Sequence, residues 1–180
     1  LDGLTTTAEE ASEEATLEEL IAEGESDELE FKASLRWDYR EGQANKKLES
    51  VIIKTVAAFA NSDGGTLLIG VDDDGNAIGL DNDYASLKGD KDRFELHMRN
   101  ILNQHLGNAF VASSVRITFP QIGDVETCQV DIQPSHKPII FSIKGENGVL
   151  TEKFYVRSGN SSPELSVSEF DSYRKTHFGS

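Results

Sequence analysis

The sequence predicts an α+β domain, with a mixed or antiparallel sheet flanked by helices. Residues 28–32, Glu-Leu-Glu-Phe-Lys, alternate polar and apolar, which is the period of a half-buried strand. Leu48, Val51, Ile52, Val56 and Phe59 recur at i, i+3, i+4, i+8 and i+11, the period of an amphipathic helix. The whole chain then reads as strand, helix, hairpin, helix, several strands and helix, an order that belongs to the α+β class.

The elements follow from the N-terminus. Residues 1–12 are small, polar and acidic and read as a linker. Thr16 with Glu19 makes a capping-box pattern, and Leu17, Leu20 and Ile21 give a short helix one apolar stripe before Gly24 stops it. Residues 1–23 are therefore assigned as an acidic linker or short helix, and residues 24–178 as the folded domain. In the first strand Leu29 and Phe31 face the core, while Glu28, Glu30 and Lys32 share the other face. A polar stretch carrying Trp37 and Tyr39 leads into the long helix, which ends at Asn61-Ser62-Asp63-Gly64-Gly65, a sharp turn into a compact apolar strand at 66–71. Asp72, Asp73, Asp74 and Gly75 form a turn, and residues 77–80 are expected to return antiparallel. A second helix is predicted over 91–105, with Phe94, Met98, Ile101 and Leu102 on its core face. Strands are expected at 115–119, 128–132, 139–143 and 154–157. Ser166 and Glu169 open a last helix that runs to about residue 173.

Composition bounds the function. The 180 residues carry 17 Lys and Arg against 32 Asp and Glu, a net charge of −15. Eleven of those excess negative charges lie in residues 1–28, which contain no Lys or Arg. Such a balance does not suit a strong non-specific binder of polyphosphate, but it allows a local basic groove. The single cysteine, Cys128, excludes an internal disulfide and a Cys-based zinc cluster, as is usual for a cytoplasmic protein. No apolar run approaches the roughly 20 residues of a membrane span, and no secretory signal is visible. The chain opens on Leu1, which points to a module of a larger protein.

Several residue groups could carry chemistry. Glu30-Phe31-Lys32 places a carboxylate and a cation on one strand face about 7 Å apart, the arrangement of a metal ligand beside a group that stabilises phosphate. The same pattern is common on solvated strand faces. Asp72, Asp73 and Asp74 suit turn formation, and equally suit a hard cation such as Mg²⁺, for which one or two carboxylates suffice. The Asn61 to Gly65 turn follows a helix and precedes a strand, the reverse of a phosphate loop, and is taken as structural. His97, His105, His136 and His177 show no ligand spacing. Arg157 to Ser162 could contact phosphate oxygens or simply turn. Arg36, Arg40, Lys46, Lys47 and Lys54, with the rings of Trp37 or Tyr39, form a modest basic and aromatic patch. No Gly-x-x-x-x-Gly-Lys-Ser/Thr run exists, which disfavours a nucleoside triphosphatase.

Taken together, residues 25–32 (ESDELEFK), 57–65 (AAFANSDGG), 68–73 (LIGVDD), Gly79 and 155–161 (YVRSGNS) resemble the Schlafen-type AlbA-like domain over roughly residues 24–175. The resemblance implies a nucleic-acid-interacting module, binding DNA or RNA, within multidomain prokaryotic proteins. In relatives that cleave tRNA and rRNA it implies a metal-dependent site of two glutamates flanking the first strand and an aspartate after the apolar strand. Those positions are Glu25, Glu30 and Asp73 here, as catalytic residues and ligands of Mg²⁺ or Mn²⁺, with Lys32 beside them. Glu30→Gln is then expected to abolish cleavage while sparing the fold. Arg36, Lys46, Lys47, Lys54 and Arg157 are the candidate nucleic-acid contacts. The active relatives pair two such modules, so a homodimer or another domain of the parent protein is the expected partner. Two alternatives stand beside this reading. One is a non-catalytic regulatory or interaction domain, and the other a nucleotide-binding module at the Gly64-Gly65 and Arg157 loops. The acidic segment 1–23 is also a candidate occupant of the groove, as a mimic of nucleic acid.

Overall fold

A computed structural model describes residues 16–179. In chain order the elements are α1 (Leu17–Glu23), β1 (Leu29–Lys32), β2 (Trp37–Asp38), β3 (Gln43–Ala44), α2 (Lys46–Ala60), β4 (Gly65–Ile69), α3 (Asp81–Ser86), α4 (Lys91–Leu106) and α5 (Asn108–Ser114). There follow β5 (Val115–Thr118), β6 (Gln121–Ile122), β7 (Val125–Glu126), β8 (Cys128–Ile132), β9 (Phe141–Lys144), β10 (Leu150–Lys153) and α6 (Val167–His177). Four strands form the central sheet in the order β1-β4-β8-β5. β1 runs parallel to β4 with Glu30 opposite Leu67, while β8 is antiparallel to both β4 and β5. The sheet is thus mixed, with helices on both faces, as the α+β reading requires.

Strand alternation decides which side chains meet which helix. Leu67 and Ile69 of β4, Val130 of β8 and Ile117 of β5 face a core built with Ile52, Val56 and Phe59 of α2 and Phe94, Met98 and Leu102 of α4. On the opposite face Leu29, Phe31, Leu68 and Val71 form a second, smaller cluster, capped by Leu17 and Ile21 of α1 and by Ile122. Phe31 is 1 % exposed and Leu68 fully buried, so α1 is packed onto the domain. The N-terminal helix therefore covers the face of the sheet opposite α2. Residues 1–15 of the acidic segment lie outside the described residues.

The alternation also sends Glu30 and Lys32 toward the α2 side. That side is no solvated face: Glu30 is only 6 % exposed. At the end of α2 the Asn61 turn is structural. The Asn61 side chain donates to the carbonyls of Ile139 and Tyr155 at 2.9 Å each and accepts from the Ile139 amide at 2.8 Å. Gly64 has φ 77° and lies so close to the end of β8 that a Cβ there would stand 2.6 Å from the Ile132 carbonyl oxygen, a contact no side chain tolerates.

Two strand expectations are corrected. Residues 154–157 make only one isolated bridge, Tyr155 to Glu164; the hairpin strands are β9, which overlaps the expected 139–143, and β10, which ends just before 154. Phe154, Tyr155 and Val156 are all buried, so the segment does not alternate. Its backbone is satisfied by the following loop, Val156 N–H donating to Pro163 and Leu165 N–H to Phe154. Residues 77–80 likewise make one bridge, Val71 to Ala77, before the amides of Ile78 and Gly79 both turn onto the Gly70 carbonyl. α3, α5 and the small β2–β3 and β6–β7 hairpins are additions to the sequence reading.

Candidate functional site

β1 is an edge strand of the sheet, and its outer backbone groups need partners other than a neighbouring strand. Charged side chains supply them. Glu25, just before the strand, accepts a hydrogen bond from the Phe31 amide at 3.0 Å. Arg157, 131 residues after Ser26, donates to the Ser26 carbonyl at 2.8 Å and to the Leu29 carbonyl at 3.4 Å. The same guanidinium meets Glu30 Oε2 at 2.6 Å and donates to Ser162 Oγ at 3.1 Å, while its Cζ lies 4.8 Å from the centroid of the Phe59 ring. The Glu30 and Arg157 side chains are 8 % and 2 % exposed, so this is a buried ion pair. Lys32, on the same strand face, brings its ammonium to 3.3 Å from Glu30 Oε1 and stays 31 % exposed. Burial raises the Glu25 carboxyl above its ordinary value, and the adjacent Glu30 carboxyl adds to the rise against the opposing Phe31 bond.

Two recesses open beside this edge. The first, about 190 Å³, is lined by Lys32, Lys54 and Arg157 against one carboxylate, Glu30. Asn160, Ser161 and Ser162 add neutral hydrogen-bonding groups to its wall. Lys54 reaches over the Tyr155 ring at 5.7 Å. The second recess, about 400 Å³, is lined by Trp37, Tyr39, Leu48 and Ile52, with Arg40 and Asp73 among its polar groups. Lys32 and Val51 line both, so the two recesses lie side by side.

The structure thus gathers Glu25, Glu30, Lys32 and Asp73 around the β1 edge, with Glu30 and Asp73 on different recesses that meet at Lys32. In this geometry these acids are not gathered as a ligand set for Mg²⁺ or Mn²⁺. Both oxygens of Glu30 are engaged by cations, and among the described residues no group of three or more His, Cys, Asp or Glu is placed to hold a metal ion. Asp73 is exposed, and the turn around it is made by Asp72, which accepts from the amides of Asp74 and Asn76 at 3.0 and 2.8 Å. Glu30 is the partner of a buried arginine, so Glu30→Gln is expected to destabilise the fold rather than spare it.

The candidate cations separate into two kinds. Arg157 is spent on Glu30 and the β1 backbone. Arg36 pairs with buried Glu49 at 3.1 Å, and His97 meets the same Glu49 oxygen at 3.2 Å. Lys46 and Lys47 are exposed in the first turn of α2 and line neither recess. Lys32 and Lys54 are the two lysines presented to the small recess.

One polar residue escaped the sequence reading. Asp83, in α3, is 1 % exposed and accepts from three consecutive amides, Leu35 at 2.8 Å, Arg36 at 3.0 Å and Trp37 at 3.1 Å. Burial raises its carboxyl above the ordinary range although the three amides oppose the rise. It pins the loop that carries Trp37 to the body of the domain. An Asp in the polar run Asp81-Asn82-Asp83 gives no sequence signal of such a role.

No described helix is long and apolar enough to cross a membrane. Among curated proteins none matches the chain. Among solved structures it is similar to the DIP2311 protein of Corynebacterium diphtheriae, with a TM-score of 0.56 and 17% identity over 86% of this chain and 25% of that one. The chain thus spans a quarter of that relative's length. It also matches the N-terminal domain of a Nitrosomonas europaea protein described as related to the ATP-dependent DNA helicase RecG, with a TM-score of 0.48 and 25% identity over 86% of this chain and 95% of that one. The Corynebacterium likeness shows the shared fold alone. The family model described as Schlafen, AlbA_2 matches residues 25–166, which takes in β1, both recesses and the Arg157 loop, and the chain belongs to that family.

Proposed function

We propose that this domain binds nucleic acid, gripping the sugar-phosphate backbone at the small recess beside β1. The observation that carries the reading is local charge: three cations face one carboxylate in a 190 Å³ recess on a chain whose net charge is −15. Asn160, Ser161 and Ser162 supply the neutral groups that commonly accompany lysine at phosphate oxygens. Glu30 neutralises Arg157 and positions it, leaving Lys32 and Lys54 as the charges that a phosphate would meet. Two lysines make a modest, salt-sensitive binder, with a slope of log affinity against log salt of about −1.4 for a single strand.

The test is binding of fluorescein-labelled tRNA and single-stranded DNA by anisotropy at low salt, with the Lys54→Ala variant in parallel. Lys54 is half-exposed on α2, with no salt-bridge partner among the described residues, so its truncation should preserve the fold and weaken binding to all sequences alike. Equal affinity of parent and variant would remove the recess from the reading. The finer form of the proposal is a metal-dependent endoribonuclease. In it Glu25, Glu30 and Asp73 would hold Mg²⁺ or Mn²⁺, which supplies charge neutralisation at phosphorus and an activated water. That form requires Glu30 to exchange Arg157 for the ion. Asp73→Asn is its suitable probe, since Asp73 is exposed: metal-dependent cleavage of tRNA that this variant loses supports the nuclease, and cleavage that it retains unchanged removes Asp73 from it. Binding without cleavage under any metal favours the regulatory or interaction module. A second copy, or another domain of a longer chain, would supply the opposite wall of such a binding surface.

A further inference from the structure

Trp37 and Tyr39 are large aromatic residues that the core does not use. Neither belongs to either hydrophobic cluster, and Tyr39 is 48 % exposed. They sit on and beside β2, a two-residue strand that pairs only with β3 and adds nothing to the central sheet. Yet this segment is held with unusual care. Asp83 fixes the amides of residues 35–37, Ser34 Oγ donates to the Trp37 carbonyl at 2.5 Å, and Asp38 takes the amides of Arg40 and Glu41 at 2.9 and 3.2 Å. Burying a carboxylate to order a surface loop costs free energy, and what the loop gains is a fixed position for its rings.

The rings line the 400 Å³ recess, of which Leu48, Val51 and Ile52 give the aliphatic part. Its volume lies within the roughly 300–1,000 Å³ of small-ligand sites. It borders the cationic recess at Lys32 and Val51, which line both. A flat apolar occupant tethered to a phosphate matches that pair of adjoining recesses. We propose that the Trp37 and Tyr39 recess receives an unpaired nucleobase of a single-stranded or looped nucleic acid while the adjoining phosphate lies at Lys32 and Lys54. This inference rests on the nucleic-acid reading above and adds to it the class of substrate: strands whose bases are free to leave the stack. A paired duplex keeps its bases stacked inside and could offer only its phosphates.

Trp37 is the only tryptophan in the chain, so its emission reports on this recess alone. The full chain is titrated at low salt with a ten-nucleotide single strand, the matching duplex, and an abasic strand of equal length and charge. The expected result is quenching by the single strand only, with the abasic strand binding about tenfold more weakly, the loss of one stacked base. Tyr39→Ala, at an exposed position, should weaken the single strand about tenfold and leave the abasic strand unchanged. Equal affinity for the single and abasic strands, or equal quenching by the duplex, overturns the base recess. If Lys54→Ala still weakens those strands, the phosphate reading survives that failure. If none of the three probes binds, both readings fall together.

Discussion

Glu30→Gln should unfold this domain more readily, and the size of the effect follows from where the side chain lies. The Glu30 and Arg157 side chains are 8 % and 2 % exposed and 2.6 Å apart, so the substitution leaves a guanidinium buried without its counter-ion. Removing one partner of such a pair costs about 3–5 kcal/mol. Gln keeps the shape and one acceptor oxygen, and Arg157 keeps its bonds to Ser26, Leu29 and Ser162, which places the loss near the lower end, at about 3 kcal/mol. The contact to Lys32 adds little, because that ammonium is 31 % exposed and screened. Against a typical stability of about 5–15 kcal/mol this is a large fraction, and it corresponds to a fall in Tm of about 6–12 °C for a chain of this size. Urea unfolding followed by circular dichroism measures it as a lower midpoint at unchanged slope. Replacing both residues by Met should cost less than the sum of the two single replacements, since no unpaired charge remains. A Glu30→Gln protein within about 0.5 kcal/mol of the parent would refute the argument, because surface substitutions fall in that range. It would return Glu30 to the role of a free acid.

Three further outcomes test the frame around the site. Glu25→Gln should raise stability relative to the parent as pH climbs above the ordinary Glu value of 4.5. The raised Glu25 means that the folded state holds its proton longer than the unfolded one, so this group's contribution falls with rising pH, and Gln removes that fall while still accepting from Phe31. Melting curves from pH 4 to 7 would show the gap widening, and a constant gap would contradict it. Asp83→Ala strips the acceptor from three amides and should cost about 3 kcal/mol, with hydrogen exchange at Leu35, Arg36 and Trp37 accelerated beyond the global change. Ile21→Ala should cost about 1–2 kcal/mol, because the side chain is partly buried over Leu29, Phe31, Leu68 and Val71. No change in the urea midpoint would mean that α1 does not contribute to the domain's stability.

The parts of the fold that were legible are those whose pattern is local. β1 and α2 announce themselves because side chains on one face must be apolar at period two or 3.6, and the structure keeps both within a residue or two of the reading. Residues 154–157 were misread because three apolar residues in a row serve three different surroundings. Phe154 packs edge-on to Phe170 at 4.7 Å in the α6 cluster, Tyr155 joins the main core, and Val156 lies buried over the loop to which its amide bonds. No single periodicity describes that. α3 and α5 are 6 and 7 residues long, too short for the helical period to repeat.

The site was legible in its residues and illegible in its pairing. Glu30 and Arg157 each stand out in the sequence, one as an acid on a strand and one as a cation in a hydroxyl-rich loop. Only the fold brings them together, and doing so changes what each can do. A buried pair holds charge in place, whereas a presented side chain can exchange water for a ligand. Glu30, Arg157, Glu49 and Asp83 belong to the first kind, with partners at 2.6 to 3.4 Å and side chains or whole residues largely withdrawn from solvent. Lys32, Lys54, Tyr39 and Asp73 belong to the second, lining the recesses while remaining partly or fully exposed. Substituting the first set perturbs the fold and binding together, so a lost activity there says little about chemistry. Substituting the second set separates them, and it is on those four side chains that the proposals of nucleic-acid binding, base recognition and cleavage can be told apart.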